Sequence, residues 1–177
     1  MNSSSFQIHA ADRSDLTAIL EIYNEVIATS TAVYSITPSS LADRQGWFDA
    51  RIGAGFPVLV SVGADGVGGF ASFGDFRGGW PGYRHSVEHS VHVRRDLRGQ
   101  GLGSALVRAL LPLAGALGKH VIIGGIDADN DGSLRMHERL GFERVAHFRE
   151  VGHKFGRWLD LVFVQRFLDP AGSRRGD

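Results

Sequence analysis

Between Val91 and Ser104 the chain reads Val91-His92-Val93-Arg94-Arg95-Asp96-Leu97-Arg98-Gly99-Gln100-Gly101-Leu102-Gly103-Ser104. An alternating apolar segment ends, arginines and glycines follow, and a helical repeat begins. Glycines let consecutive backbone N–H groups turn toward one shared anion. A helix N-terminus adds unpaired donors and the positive end of the helix dipole. Arg94, Arg95 and Arg98 add full charges nearby. Together these make a diphosphate cradle. It is not a Walker A loop, because no Gly-Lys-Ser/Thr is present. Nor is it a dinucleotide fingerprint, because glycines at 99, 101 and 103 miss the G-x-G-x-x-G spacing. The alternative is a glycine-rich surface turn leading into a helix.

The elements that must position this loop are legible as patterns. Residues 6–9 read as extended. Asp12 and Asp15 form a capping box ahead of a helix carrying Leu16, Ile19, Leu20, Tyr23, Val26 and Ile27. Residues 29–38 read as a loop, and Ser39-Ser40 start a second helix with Leu41, Trp47, Phe48 and Ile52. Strands are expected over 57–62 and 67–76, joined at Asp65-Gly66. The stretch 78–82 reads as a loop. Residues 86–93 alternate, with Val87, His89, Val91 and Val93 on one face and Ser86, Glu88, Ser90 and His92 on a polar one. A helix follows Gly101, and Pro112 inside it is expected to kink or shorten it. A strand over 121–126, a helix over 129–140 stopped by Gly141, and strands over 144–151 and 158–167 complete the order β-α-α-β-β-β-α-β-α-β-β. Hairpins mixed with crossovers give an α+β fold with one mixed, mostly antiparallel sheet and helices on both faces. One domain over 6–168 is expected, with flexible tails at 1–5 and 169–177.

The composition narrows the class. The 177 residues are 43% hydrophobic and 21% charged, with 19 Lys+Arg against 19 Asp+Glu. That is enough apolar surface for a core and too little net charge for a general nucleic-acid binder. With no cysteine, a disulfide framework, thiolate zinc sites and a Cys nucleophile are excluded. The first residues lack the basic and apolar stretches of a signal peptide, and no apolar run is long enough to span a bilayer, so a cytoplasmic protein is expected. The 24 glycines are scattered without period.

Arg98-x-x-Gly101-x-Gly103 after Val91-x-Val93 resembles the acyl-CoA loop of the GCN5-related N-acetyltransferase superfamily. Asn130-x-x-Ser133 followed by Gly141-Phe142 is similar to a second signature of that superfamily. Within it, the chain resembles the phosphinothricin and methionine sulfoximine/sulfone N-acetyltransferases. Ile22-Tyr23-Asn24, Tyr83-Arg84, Val87-Glu88-His89-Ser90-Val91, Met136-His137-Glu138 and Lys154-Phe155-Gly156-Arg157-Trp158-Leu159-Asp160 carry that likeness. It covers roughly 8–168.

The resemblance implies a single-domain acyl-CoA N-acyltransferase fold and acetyl-CoA as co-substrate. Val91, His92 and Val93 would pair by backbone with the pantetheine arm, and an N–H near Val93 would face the thioester carbonyl. Arg98, Gly99, Gln100, Gly101, Leu102, Gly103 and Ser104 would hold the diphosphate. Asn130 and Ser133 would meet the pantetheine, although Asn130 is also explained as a helix N-cap. Glu88 would take the proton of the incoming ammonium, or else form a structural ion pair with Arg84 or Arg77. His137, where most of the superfamily carries tyrosine, would act as an imidazolium acid toward the departing thiolate, or only pack. Pro81, Gly82, Tyr83, His89 and Ser90 would flank the amine site. Arg77 or Arg84 would hold an α-carboxylate, and Tyr34 would form an aromatic wall, with surface or core packing the alternative for each. The segment 154–160 would be a hairpin loop near the site or part of a dimer contact.

His85, His89 and His92 do not make a metal site, because on a strand His89 and His92 point to opposite sides. The expected activity is transfer of acetyl from acetyl-CoA to the α-amine of a small amino acid or analogue, by direct attack in a ternary complex. A homodimer is expected, with no metal, nucleic acid or membrane partner. The alternatives are an acyl-CoA-binding sensor without transfer and an acetyltransferase for protein N-termini or polyamines.

Overall fold

A computed structural model describes residues 6–168. The expected tails, 1–5 and 169–177, lie outside the described residues. Seven strands form one sheet: β1 (Gln7–Ala10), β2 (Val58–Gly63), β3 (Gly66–Asp75), β4 (Ser86–Val93), β5 (Val121–Asp127), β6 (Glu143–Lys154) and β7 (Arg157–Phe167). Their order is β1-β2-β3-β4-β5-β7-β6, and only β4–β5 is parallel. The mixed, mostly antiparallel sheet is as expected.

Four helices cover it: α1 (Leu16–Thr29), α2 (Leu41–Gly53), α3 (Leu102–Ala116) and α4 (Asp131–Arg139). Asp12 and Asp15 form a reciprocal capping box one short 3-10 turn before α1, and Ser40 with Asp43 forms another at α2. These local devices fix where the two helices begin. Leu16, Ile19 and Ile22 of α1 and Phe48 of α2 bury one core with Val58, Val60 and Phe70. On the opposite face Leu106, Val107 and Leu110 of α3 and Leu134 of α4 pack with Phe73, Val87, Ile122 and Val164. The sheet is therefore sandwiched, and any site at its centre is reached through its ends or through a gap between strands.

Four expectations are corrected. The β2–β3 turn is Ala64-Asp65, one residue earlier, since Gly63 pairs with Gly66 and Gly66 takes the left-handed φ of +86°. Helix α3 runs through Pro112 to Ala116 and is not shortened there. Pro112 is exposed, so the carbonyl it leaves unpaired can be hydrated. Strand β6 continues past 151 because a bulge absorbs the break: between the pairs Phe148↔Leu161 and Gly152↔Leu159, Glu150 takes φ +53° and gives its N–H to Asp160 Oδ1 at 2.8 Å. Finally, the face of β4 expected to be polar is not solvent-facing throughout. His92 is buried there, its ring against Phe70 and Tyr23.

Candidate active site

The loop before α3 presents donors and little else. Gly99 and Gly101 take φ of +78° and +87°, values that an L side chain strains to reach. Gly101 is the N-cap residue of α3 and offers no side-chain cap. Among the described residues, no protein acceptor takes the amides of Gly99, Gly101, Leu102, Gly103 or Ser104. These free donors sit at the positive end of a 15-residue helix, an arrangement suited to a diphosphate. The loop opens onto a cleft of about 850 Å³ lined also by Val91, His92, Val93, Arg98, Asn130 and Ser133.

Three details differ from expectation. Gln100 does not line the cleft; its Nε2 donates to the Asp96 carbonyl at 3.3 Å. Arg94 is turned away, held by Asp96 at 2.8 Å and by the Asp65 carbonyl at 3.3 Å. Arg98 lines the cleft but pairs with Glu25 at 2.6 Å and donates to the Val93 carbonyl at 3.0 Å. The cradle is thus built from main-chain donors more than from free arginine charge.

Strand β4 supplies the next part. It pairs with β5 only over Ser86–His89, ending at His89↔Gly124, while β3 stays paired up to Val93. Arg94 gives its N–H to Gly68 on the β3 side at 2.9 Å. Strand alternation then turns the N–H groups of Val91 and Val93 toward the gap between β4 and β5. A free backbone edge in a splayed sheet accepts an extended ligand as an added strand. At the far wall of the gap, Asn130 Oδ1 caps α4 by accepting from Ser133 N at 3.1 Å, so its amide group stands at a helix start facing the cleft.

Beyond Val91, His92, Asn130 and Ser133 the cleft continues into a smaller cavity of about 330 Å³. Glu88, His89, Ser90, Asp127 and His137 line it, together with Arg44, Tyr23, Trp47 and Phe70. Glu88 is half-buried, and burial raises its carboxyl above the usual range while the Arg51 charge opposes that rise. The expected ion pair of Glu88 with Arg84 or Arg77 does not form. The cation facing it comes from α2: the Arg51 guanidinium fills the space over Gly74, the cross-strand partner of Glu88, where any Cβ would collide with it.

His137 is 1% exposed and gives its Nδ1–H to the Ser133 carbonyl at 2.8 Å. Its Nε2 is buried without a partner. Its ring stacks on His89 with centroids 5.1 Å apart. Burial lowers the His137 pKa, and burial chiefly pushes His89 down to about 3 and His92 to about 4. The expected imidazolium is therefore disfavoured: the ring is neutral at pH 7, with the proton on Nδ1 and a lone pair on Nε2.

The other residues expected at the amine site are scattered. His89 and Ser90 line the cavity. Arg77, Pro81, Gly82, Tyr83 and Arg84 are exposed and line neither space. Tyr83 edges onto Phe76, which edges onto Phe163, so this loop forms a rim beside the site rather than its wall. Arg77 lies over the Tyr83 ring at 5.5 Å, and the Arg84 carbonyl accepts from Lys119. Tyr34 is a pin, not a wall: its hydroxyl donates to the Asp160 carbonyl at 2.8 Å and its ring covers Gly152. The segment 154–160 is a hairpin, and Lys154, 2% exposed, donates to the carbonyls of Ser30 and Val33. Among the described residues no three side chains come together that could hold a metal ion, and no helix is long and apolar enough to cross a membrane.

Sequence reasoning missed Arg44, Arg51 and Asp127. A signal existed for the first two. Arg44, Trp47, Phe48 and Arg51 fall at i, i+3, i+4 and i+7 on α2, a core-facing stripe that carries two arginines. The Arg44 guanidinium sits over Tyr23 at 4.0 Å and near Trp47 at 4.9 Å.

Comparison with known proteins agrees with this geometry. Residues 19–142 match the model of the acetyltransferase (GNAT) family. An L-methionine sulfoximine/L-methionine sulfone acetyltransferase of Pseudomonas paraeruginosa is 49% identical over 170 residues, covering 96% of this chain and 98% of that protein. An L-amino acid N-acyltransferase of Escherichia coli is 46% identical, covering 92% and 94%. The structure of a Salmonella typhimurium acetyltransferase with its cofactor acetyl-CoA superposes with a TM-score of 0.91 at 42% identity, covering 97% of this chain and 99% of that one.

Proposed function

The chain belongs to the acetyltransferase (GNAT) family and is an acetyl-CoA-dependent N-acetyltransferase, and we propose that its acceptor is the α-amine of a small amino acid or analogue such as methionine sulfone or methionine sulfoximine. The observation that carries this reading is continuity. Five free amides, an open β4 edge and a small polar cavity form one path, with the free N–H groups of Val91 and Val93 beside the point where the two spaces meet. Acetyl-CoA supplies the activated acetyl group. The loop 99–104 holds its diphosphate, the β4 edge and Asn130 hold its arm, and the Val93 N–H lies where it can polarise the acyl oxygen.

Glu88 takes the proton that the acceptor must lose. Amines are mostly protonated at pH 7, and a carboxylate whose pKa is raised by burial is a better base than an exposed one. We read the reaction as direct transfer, which fits a chain with no cysteine to carry an acyl group. His137, neutral and with a free Nε2, completes the cavity wall beside the thiol. A cavity of about 330 Å³ suits one amino acid. Arg44 is the guanidinium lining it, available to the acceptor's carboxylate.

We further read the protein as a homodimer. Support comes from the exposed apolar side chains on the β6–β7 hairpin, namely Val145, Phe148, Val151, Phe155 and Trp158. Light scattering after gel filtration tests it. The activity is tested by thiol release from acetyl-CoA across a panel of amino acids and analogues. Release with methionine sulfone but not with a polyamine supports the reading, whereas acetyl-CoA binding without release for any amine makes the protein a sensor.

A further inference from the structure

Arg51 closes the core-facing stripe of α2 and is half-buried. Its buried Nε has no hydrogen-bond partner. Among the described residues, no carboxylate closes an ion pair with it. Taking a guanidinium out of water without a partner is unfavourable, so packing alone favours an apolar side chain of similar length.

The seat of the guanidinium shows what the charge is next to. It lies over Gly74, where a Cβ would collide with it, and Gly74 pairs with Glu88 across β3 and β4. Directly paired residues point to the same face of a sheet, with Cβ positions about 4.5–5.5 Å apart. The charge therefore stands about one strand spacing, roughly 5 Å, from the base of the Glu88 side chain. The carboxylate leans the other way, toward β5, since a Cβ on Gly125 would stand 3.4 Å from Glu88 Oε1. Base and cation are thus neighbours without contact. A contact pair would occupy the carboxylate oxygens with guanidinium N–H groups; here Glu88 lines the cavity instead.

Burial alone can push a glutamate to about 8–9, where it would keep its proton at pH 7 and accept no other. An opposite charge about 4–6 Å away lowers a carboxyl by about 1–3. At Glu88 burial raises the pKa and the Arg51 charge lowers it. The other charged groups around this space do not replace Arg51. Arg44, also from α2, lies over the Tyr23 ring at 4.0 Å. Arg77 and Arg84 are exposed and line no part of the cavity. Asp75, at the end of β3, faces Arg51 as well, and Lys119 shares it at 3.4 Å. Asp127 of β5 lines the cavity but is an acid, and His89 and His137 are neutral at pH 7.

We propose that Arg51 is a positioning residue of the transfer reaction, whose unbonded guanidinium over Gly74 holds Glu88 as a carboxylate at neutral pH while leaving its oxygens free for the acceptor's proton. Arg51 lines neither the cleft nor the cavity, so it acts through Glu88 and makes or breaks no bond. The inference rests on the reading of Glu88 as the base.

The test is the pH dependence of kcat/KM for L-methionine sulfone at saturating acetyl-CoA, from about pH 5.5 to about pH 9. Wild type should show an acid limb that Glu88→Gln lacks. In Arg51→Met, whose unbranched side chain can follow the same path, the limb should move up by about one pH unit or more. On the acid side of both limbs kcat/KM should fall by about tenfold relative to wild type, and near pH 8.5 by less than about threefold. Arg51→Lys keeps the charge and should stay within about half a pH unit of the wild-type limb. Should Arg51→Met misfold, Gly74→Ala, which puts a methyl in the guanidinium's seat and displaces the charge, carries the measurement with the same expectation. A purely structural Arg51 would lower activity by one factor at every pH and leave the shape of the profile unchanged, and that result overturns the inference. So does a limb that moves equally in Arg51→Lys and Arg51→Met. A limb that persists in Glu88→Gln overturns the reading of Glu88 as the base, and the inference with it.

Discussion

The loop proposed to hold the diphosphate and the cavity proposed for the acceptor meet at Val91, His92, Asn130 and Ser133, yet they are made of different material. The loop is one continuous stretch, 99–104, whose proposed function would reside in backbone donors and two left-handed glycines. The cavity is assembled by side chains from α1, α2, β3, β4, β5 and α4, several of them charged or titratable and buried. A backbone-made site tolerates changes of neighbouring side chains but not of dihedral angle. A side-chain-made site tolerates the reverse. On the proposed reading, the acceptor side is the part written in side chains.

The widest separation between the two regions should appear with Glu88→Gln. This change keeps shape and removes the base, so kcat should fall by about 10²–10⁴-fold. The acetyl-CoA dissociation constant, read by calorimetry, should stay within about twofold, because the free amides of the cradle are untouched. Wild-type turnover would remove Glu88 from the chemistry. The mirror experiment is Gly101→Val. A β-branched residue at φ +87° costs about 1–3 kcal/mol of strain. If the loop relaxes to relieve it, the amides re-aim and acetyl-CoA affinity drops by about tenfold or more. Acceptor KM measured at saturating acetyl-CoA should barely move. An equal loss on both sides would mean that the two regions are one mechanical unit.

The same contrast explains what could be read from the sequence. The strand–loop–helix around 99–104 was legible because glycines, helix periodicity and a strand end are local signals, and the capping box at Asp12 and the serines 39–40 marked the starts of α1 and α2 for the same reason. The β4 strand was placed with its correct bounds, and its alternation separated His89 from His92. What stayed hidden needed distant segments to meet. Nothing in the order of residues says that Arg51 fills the space over Gly74, or that Asp127 ends β5 with an oxygen unpaired. The expectation of free arginines at the loop missed that Glu25, on α1, neutralises Arg98. The imidazolium expected at His137 is disfavoured by burial, and burial depends on what packs above the helix, which is His89 and Phe142.

Acidification should act on the cavity rather than on the cradle, since amides do not titrate in this range. Buried His89 and His92 have pKa values near about 3 and about 4 against 6.5 for the exposed group. The unfolded chain takes up these two protons as pH falls through 6.5, and the folded chain does not. Their stability contribution is therefore complete above 6.5 and is lost progressively below it, at roughly 1.4 kcal/mol per pH unit for each histidine. His137, also lowered, acts in the same direction, and Glu88, raised, acts against it. Urea unfolding at pH 7 and pH 5 should show a clear drop, and His92→Phe should flatten it by about one proton. Equal stability at both values would mean that these rings are protonated in the fold.

The smallest expected effect concerns Tyr34, which the sequence suggested as a wall of the acceptor site. In the fold its hydroxyl reaches the Asp160 carbonyl and its ring lies on Gly152, a position where a Cβ would come within 2.5 Å of the ring. Burial first, then the Asp127 carboxylate through its charge and its hydrogen-bonding approach, then the Asp160 charge, raise the hydroxyl pKa above that of a free tyrosine, so it remains a donor at neutral pH. With Lys154 holding the Ser30 and Val33 carbonyls, Tyr34 ties the loop between α1 and α2 to the β6–β7 hairpin. That loop sends Ala32 and Val33 into the cavity, so Tyr34 acts on the site through what it pins. Tyr34→Phe removes one hydrogen bond and keeps the ring on Gly152, which should lower stability by about 0.5–1.5 kcal/mol. Acceptor KM should change less than twofold, because no substrate contact is lost. A large rise in that KM with stability unchanged would restore the aromatic wall, and it would extend the side-chain-made cavity to the hairpin.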